Sequence, residues 1–251
     1  MTGCGFRRLP VTDAGTHRLR GIVTAGDIID MMGGGNKFNL VRKKHAGNLL
    51  AAINESVREI MTEKVVTIGD DARILDAAAL IVGKKVGGLP IVDAGEVLVG
   101  IVTERDVMKV LSAEKSQSLV EEIMSSSLKV TGPETPIGEA TREMITHRFR
   151  RLPVVKDDVL YGIVTATDIM KYLGTGQVFQ RMVTGNVTEV MALPVRTLVS
   201  GTLHTIDPKK NANEAAREML ARNVGALPVI EDARLVGLVT EFDLVKAFSR
   251  S

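Results

Sequence analysis

The sequence predicts a mixed α+β (α/β) chain made of four β-α-β-β-α repeats, the first lacking its opening half. Three observations carry this. A signature of Leu-Pro followed by "G-(I/L)-V-T-x-x-D" occurs four times, with Thr three residues after Gly and Asp three after Thr: Gly21, Thr24, Asp27; Gly100, Thr103, Asp106; Gly162, Thr165, Asp168; Gly237, Thr240, Asp243. An upstream half recurs before the last three copies: "VREIMTEKVVTI" (57–68), "VEEIMSSSLKVT" (120–131) and "VRTLVSGTLHTI" (195–206), followed in the last two by "EATREMI" (139–145) and "EAAREML" (214–220). Short β-rich runs alternate with amphipathic stretches throughout.

The second copy shows the element order best. "VVTI" (65–68) reads as a strand, "RILDAAALIVGKK" (73–85) as an amphipathic helix, "LPIV" and "VLVGIVT" as two strands, and "ERDVMKVL" (104–111) as a closing helix. A unit with one sheet and two helices cannot bury both faces alone, so the copies are expected to pair. The repeats are placed at 1–31, 57–112, 119–173 and 188–249, and the modules at 1–112 and 119–251. Counting nine residues back from the Pro of "LP" reaches Met144 and Met219 in copies three and four, and Met1 in copy one. Met1 is therefore expected at an internal helix position, and upstream codons to encode the missing strand and helix.

The copies are of two kinds. Copies one and three carry "FRRLPV" (6–11 and 149–154) and Ala after the Thr; copies two and four carry "GGLP" or "GALP" and Glu after the Thr. Copies one and three also continue into "GGGNKF" (33–38) and "GTGQVF" (174–179), with Phe eleven residues past the Asp. A flexible linker is the expectation for the first of these, which lacks the final Gly of a dinucleotide fingerprint and the Gly-Lys-Ser/Thr of a P-loop.

Composition narrows the function. Apolar residues reach 45% but aromatics only 3%, so the core must be aliphatic and base-stacking platforms are scarce. A net charge of +2 is too small for a nucleic-acid coat. One cysteine, Cys4, excludes an internal disulfide framework and fits a reducing cytosol. No apolar run approaches a membrane span and no signal peptide is visible. The four histidines (His17, His45, His147, His204) lack metal spacing, and "LVRKKH" (40–45) reads as a solvated linker face. With neither a nucleophile–base pair nor a P-loop lysine, and with the same Thr/Asp pair built four times, the chain reads as a non-enzymatic binding protein without a catalytic cofactor.

The fourfold "LPV…GIVTxxD" pattern resembles the cystathionine β-synthase (CBS) domain family. Four copies with little else, together with "GGGNKFNL" and "NLLAAINE", resemble archaeal relatives of the gamma subunit of AMP-activated protein kinase. The resemblance implies tandem CBS domains paired into two Bateman-type modules, a disc-like assembly that admits a homodimer, and a cytoplasmic regulatory protein binding AMP, ADP or ATP. It implies that the ribose is held by Thr24/Asp27, Thr103/Asp106, Thr165/Asp168 and Thr240/Asp243. A carboxylate can take both vicinal hydroxyls, as in dinucleotide folds. The competing reading is a helix cap, against which stands the preference of a capping box for the longer Glu or Gln; the two roles are expected to coexist, with at least two of the pairs binding ribose.

Phosphate calls for positive charge, and arginine can fork onto it. Arg7, Arg8, Arg105, His147, Arg148, Arg150 and Arg151 are the candidates, the resemblance supporting His147 and Arg148 in particular; copy one lacks counterparts of those two. Gly87 and Gly225 would let a flat base approach, and Thr67 and Thr205 precede the Ile at the end of the first strand, which by the resemblance borders the base. Two other ligand classes stay open. One is RNA or a ribonucleoprotein, met by Arg42, Lys43 and Lys44, with a steep salt dependence. The other is an S-adenosylmethionine-type molecule, which leaves the arginines without purpose. The regulated partner is unknown.

Overall fold

In the computed structural model, which describes residues 1, 3, 5–33, 35–113, 116–174, 183–199 and 202–249, every signature folds into a β-hairpin that runs directly into a helix. Repeat 1 is β1 (Arg8–Thr12), β2 (Leu19–Thr24) and α1 (Ala25–Gly33). A π-helical turn (Leu40–Lys44), α2 (Leu49–Ile53) and a 3-10 turn (Val57–Glu59) lead onward. Repeat 2 is β3 (Ile68–Gly69), α3 (Ile74–Lys84), β4 (Gly88–Val92), β5 (Leu98–Thr103) and α4 (Glu104–Leu111). Repeat 3 follows α5 (Val120–Ile123) and comprises α6 (Ile137–His147), β6 (Arg151–Lys156), β7 (Val159–Thr165) and α7 (Ala166–Gly174). Repeat 4 follows α8 (Val187–Met191) and a 3-10 turn (Val195–Thr197), with α9 (Ala212–Ala221), β8 (Ala226–Glu231), β9 (Arg234–Thr240) and α10 (Glu241–Phe248). Cys4 and residues 175–179 lie outside the described residues.

The opening strand is shorter than the sequence suggests. Of "VVTI" only Ile68 is in β3, which runs on to Gly69, the two pairing parallel with Ile91 and Val92. In repeats 3 and 4 it shrinks to single parallel bridges, Thr131 to Val154 and Ile206 to Val229. The Leu-Pro pair explains this. Thr131 donates its N–H to the Pro153 carbonyl and accepts from the Val155 N–H; Ile206 does the same with Pro228 and Ile230. The next rung upstream in a parallel ladder would need the N–H of that proline, which does not exist. The hairpin strand pairs on its other side without hindrance: β4/β5, β6/β7 and β8/β9 are antiparallel, each with a bulge at the same place, after Ile91, Val154 and Val229. In repeats 3 and 4 the hairpins close through two left-handed residues, Asp157–Asp158 and Asp232–Ala233, the turn geometry that suits strand twist.

The chain divides into two compact units that gather like with like. Unit 1 (Met1–Val11, Arg20–Lys64, Lys129–Thr202) holds most of repeats 1 and 3, and unit 2 (Thr12–Leu19, Val65–Leu128, Leu203–Ser251) most of repeats 2 and 4, while the opening stretches of repeats 2 and 4 fall in unit 1 and that of repeat 3 in unit 2. The units therefore cut across the modules 1–112 and 119–251 drawn from chain order. The tip of the repeat 1 hairpin belongs to unit 2, where Arg18 pairs with Val97.

Each unit has its own core. In unit 1, Ile29 and Met32 of α1 pack with Met144 of α6, Ile169 and Met170 of α7, and Leu152, Val154 and Val164 of the hairpin. Met1 packs against the same cluster. In unit 2, Ile81, Val107, Met108, Met219, Leu244 and Val245 surround Leu89, Leu227 and Val239. The largest fully buried side chains are Met, Leu and Ile, as the scarcity of aromatics requires.

The segment after α1 is not the flexible linker expected. Gly33 ends α1 against Thr141, Gly35 packs on Asp30 and Ile145, and the Asp30 carboxylate accepts from the Lys37 N–H at 3.0 Å. "LVRKKH" is likewise only partly solvated. Its Val41 is fully buried, and Lys44 pairs with Glu55 at 3.0 Å and Glu59 at 3.6 Å.

Candidate functional site

The fourfold Thr/Asp pair forms the same construction each time. In repeat 4, Thr240 ends β9 in an extended conformation and is the N-cap of α10. Its N–H and Oγ1 both donate to Asp243 Oδ2, at 2.9 and 2.7 Å, and Oγ1 accepts from the Asp243 N–H at 3.3 Å. Thr24/Asp27 and Thr165/Asp168 repeat all three bonds. In Thr103/Asp106 the carboxylate again takes the N–H and hydroxyl, at 2.9 and 2.6 Å. The preference of a capping box for Glu or Gln thus does not keep these aspartates from forming one. The Thr hydroxyl, one donor and two acceptors, meets the carboxylate halfway. Only Oδ2 takes part. In Asp106 and Asp168, Oδ1 accepts no further hydrogen bond among the described residues.

A second repeated bond brings the strand start to this box. The first N–H of the closing helix donates to the carbonyl two residues before Leu-Pro: Ala25 to Arg7 (2.9 Å), Glu104 to Gly87 (3.2 Å), Ala166 to Arg150 (2.9 Å) and Glu241 to Gly225 (3.1 Å). Arg7 and Arg8 thus adjoin Thr24/Asp27, and Arg150 and Arg151 adjoin Thr165/Asp168, all in unit 1. Gly87 adjoins Thr103/Asp106, and Gly225 adjoins Thr240/Asp243, in unit 2. A helix start favours negative charge, so the arginine-bearing copies combine a polar box, a helix N-terminus and cationic side chains.

The other candidates are placed differently. Arg105 turns to repeat 4: its Nε donates to Glu241 Oε1 at 2.6 Å, one terminal nitrogen to the Val224 carbonyl at 2.7 Å, and the other to Asn223 Oδ1. His147 ends α6, with Nε2 3.4 Å from Glu143 Oε2 and its ring stacked on Phe149 at 5.5 Å. Arg148 follows in a left-handed conformation as the C-cap. Thr67 and Thr205 precede Ile68 and Ile206, the residues that pair with the central strand. Among the described residues no three His, Cys, Asp or Glu side chains are arranged to hold a metal ion, and no helix is long and apolar enough to cross a membrane.

Sequence reasoning passed over Lys37, Glu241 and Asn223. In repeat 1, Asp27 Oδ1 is taken by the Lys37 ammonium, which also donates to the Ile60 carbonyl at 2.6 Å. A signal existed: in the aligned segments Lys37 of copy one stands opposite Val178 of copy three.

The family model described as the CBS domain matches residues 1–34, 57–113, 120–175 and 187–250. The chain belongs to the CBS-domain family. An uncharacterized protein of Methanocaldococcus jannaschii, MJ1225, is 40% identical over 246 residues, covering 97% of this chain and 88% of that one. Its crystal structure, described as that of a candidate archaeal homologue of γ-AMPK, matches with a TM-score of 0.92. A 33.4 kDa protein in the ribosomal RNA operon of Thermofilum pendens is 29% identical over 244 residues, 97% of this chain and 81% of that one. A Pyrococcus horikoshii structure at 21% identity shares the fold, with a TM-score of 0.63 over 96% of this chain and 91% of that one. In this CBS protein the signature residues are first of all the junction between hairpin and closing helix, repeated in all four domains.

Proposed function

We propose that the protein is a non-enzymatic regulator that senses adenine nucleotides through the Thr/Asp junctions of its CBS domains. The observation that carries this reading is the division of labour within the aspartate. Oδ2 is spent on the cap, and in Asp106 and Asp168 Oδ1 retains its lone pairs for a sugar hydroxyl. The same residue therefore serves fold and ligand, and the helix cap fixes the carboxylate in advance. Thr165/Asp168 is the best equipped copy, since Arg150 and Arg151 adjoin it and supply charge for phosphate, with His147 and Arg148 at the end of the preceding helix. Gly87 and Gly225 leave room for a base beside the other two boxes. The likeness to MJ1225, described as a candidate homologue of γ-AMPK, supports the adenine nucleotide over other ligands. AMP, ADP and ATP regulate only if they favour different states of the protein, so the partner is expected to distinguish the liganded forms.

The test is calorimetric titration of AMP, ADP, ATP, GTP and S-adenosylmethionine into the whole chain. Selective adenine-nucleotide binding is expected. A ligand at a hundred times its dissociation constant adds about 2.7 kcal/mol of stability, so a thermal shift must accompany each hit. A preference for S-adenosylmethionine, or no binding by any of the five, would overturn the reading.

A further inference from the structure

The four boxes are alike in Oδ2 and unlike in Oδ1. At Asp27 that oxygen is fully engaged: the Lys37 ammonium is paired with it, and the Thr62 hydroxyl donates to it at 3.4 Å. Lys37 is held from a second side by the Ile60 carbonyl at 2.6 Å, and its own N–H is fixed by Asp30 at 3.0 Å. The pair is largely withdrawn from solvent, with side-chain exposures of 23% for Lys37 and 11% for Asp27. Asp106 and Asp168 carry no such cation among the described residues.

We propose that Lys37 fills the sugar-hydroxyl position of repeat 1, so that this copy is occupied by the protein itself and takes no nucleotide. The inference rests on the sensor reading and says which domain is left out of it. A ribose arriving at Asp27 would have to replace a charge-assisted bond with neutral ones and leave an ammonium behind with one carbonyl partner, and a charge stripped of its counterion in a shielded place is costly. The lysine belongs to the segment between repeats 1 and 2, whose glycines let it fold back: a Cβ on Gly35 would stand 2.0 Å from Asp30 Oδ1. Ile60 and Thr62 lie just beyond that segment, in the opening stretch of repeat 2, and Thr62 bridges to Ile22 of β2. The first CBS domain thus uses Asp27 to tie down the connection that follows it and the opening stretch of repeat 2. Where copy one has Lys37, copy three has Val178, so the other arginine-bearing copy carries no lysine at this position.

The experiment counts AMP molecules bound per chain, by calorimetry on the full chain, for the native protein, Lys37→Met and Lys37→Met/Asp27→Ala. Lys37→Met is expected to bind one more AMP than the native protein, and the double variant to lose it again. Circular dichroism and thermal melts establish folding, with Lys37→Gln as the second variant should Lys37→Met unfold. An unchanged count in a folded Lys37 variant overturns the inference while leaving the sensor reading intact. Binding by Lys37→Met alone upholds the inference and removes the sensor reading from the native protein. No binding by either overturns both.

Discussion

Arg105 lies between Thr103 and Asp106, yet its guanidinium reaches out of its own repeat to the first residue of α10. Three of its nitrogens are used, on Glu241, Val224 and Asn223. Glu241 is almost fully buried and Arg105 about a quarter exposed, so the pair is more than a surface ion pair. Removing one partner of such a pair leaves the other charge buried, and Arg105→Ala should cost about 3 kcal/mol in denaturant unfolding. Arg105→Lys should restore only part of this, because an ammonium cannot fork. A loss below about 1 kcal/mol for Arg105→Ala would show that the pair is solvated and the assignment to packing wrong. In sequence Arg105 looked like a phosphate ligand because it stands inside the motif. The motif identifies the backbone junction, but only the packing of repeat 4 against repeat 2 decides where a long side chain points.

Among the elements, α1 and α3 make opposite use of a glycine. A Cβ on Gly33 would lie 2.0 Å from Thr141 Cγ2, and Thr141 is fully buried with its hydroxyl bonded to the Ile137 carbonyl at 2.7 Å, so it cannot yield. Gly83 in α3 has nothing within 4 Å of that position. Gly33→Ala should therefore destabilise by about 1–3 kcal/mol despite the better helix former, whereas Gly83→Ala should stabilise by up to about 1 kcal/mol. Equal shifts in melting temperature for the two would refute the close approach of α1 to α6. At the start of α8, Glu189 accepts from the Thr184 hydroxyl and from the N–H groups of Val183, Thr184 and Asn186. The Thr184 hydroxyl first, then these N–H groups, hold its carboxyl down from 4.5 to about 2. A folded value below the unfolded one means that this stability is complete above about pH 4.5 and is lost as the pH falls toward 2. Glu189→Gln should flatten the acid limb of the stability profile in that window; an unchanged limb would contradict it.

The helices and hairpins were legible because their periodicity and turn residues act locally. "ERDVMKVL" is α4 residue for residue, and "RILDAAALIVGKK" is α3 within a residue at either end. The first strand was overextended because "VVTI" has the composition of a strand, while the limit is set by a proline more than twenty residues away. The box itself was legible; the role of Lys37 was not, since the chain had to fold back over a separation of ten positions before it met Asp27.

For the whole molecule, the two kinds of repeat have a physical correlate. The arginine-bearing copies share unit 1 and its core, and the glycine-bearing copies share unit 2. The two kinds of copy read from the sequence thus reappear as the partition of the fold, and each unit carries two versions of one junction. The central claim, that the Thr/Asp junctions hold adenine nucleotides as well as capping helices, is most directly tested by titrating AMP into the native chain and into the Asp168→Ala/Asp243→Ala double variant. The account predicts saturable binding by the native protein that is lost from these two sites in the variant, beyond the loss of stability that a missing cap causes, about 1 kcal/mol each. A folded variant that binds AMP with unchanged stoichiometry and affinity would contradict it and leave the four aspartates as helix caps alone.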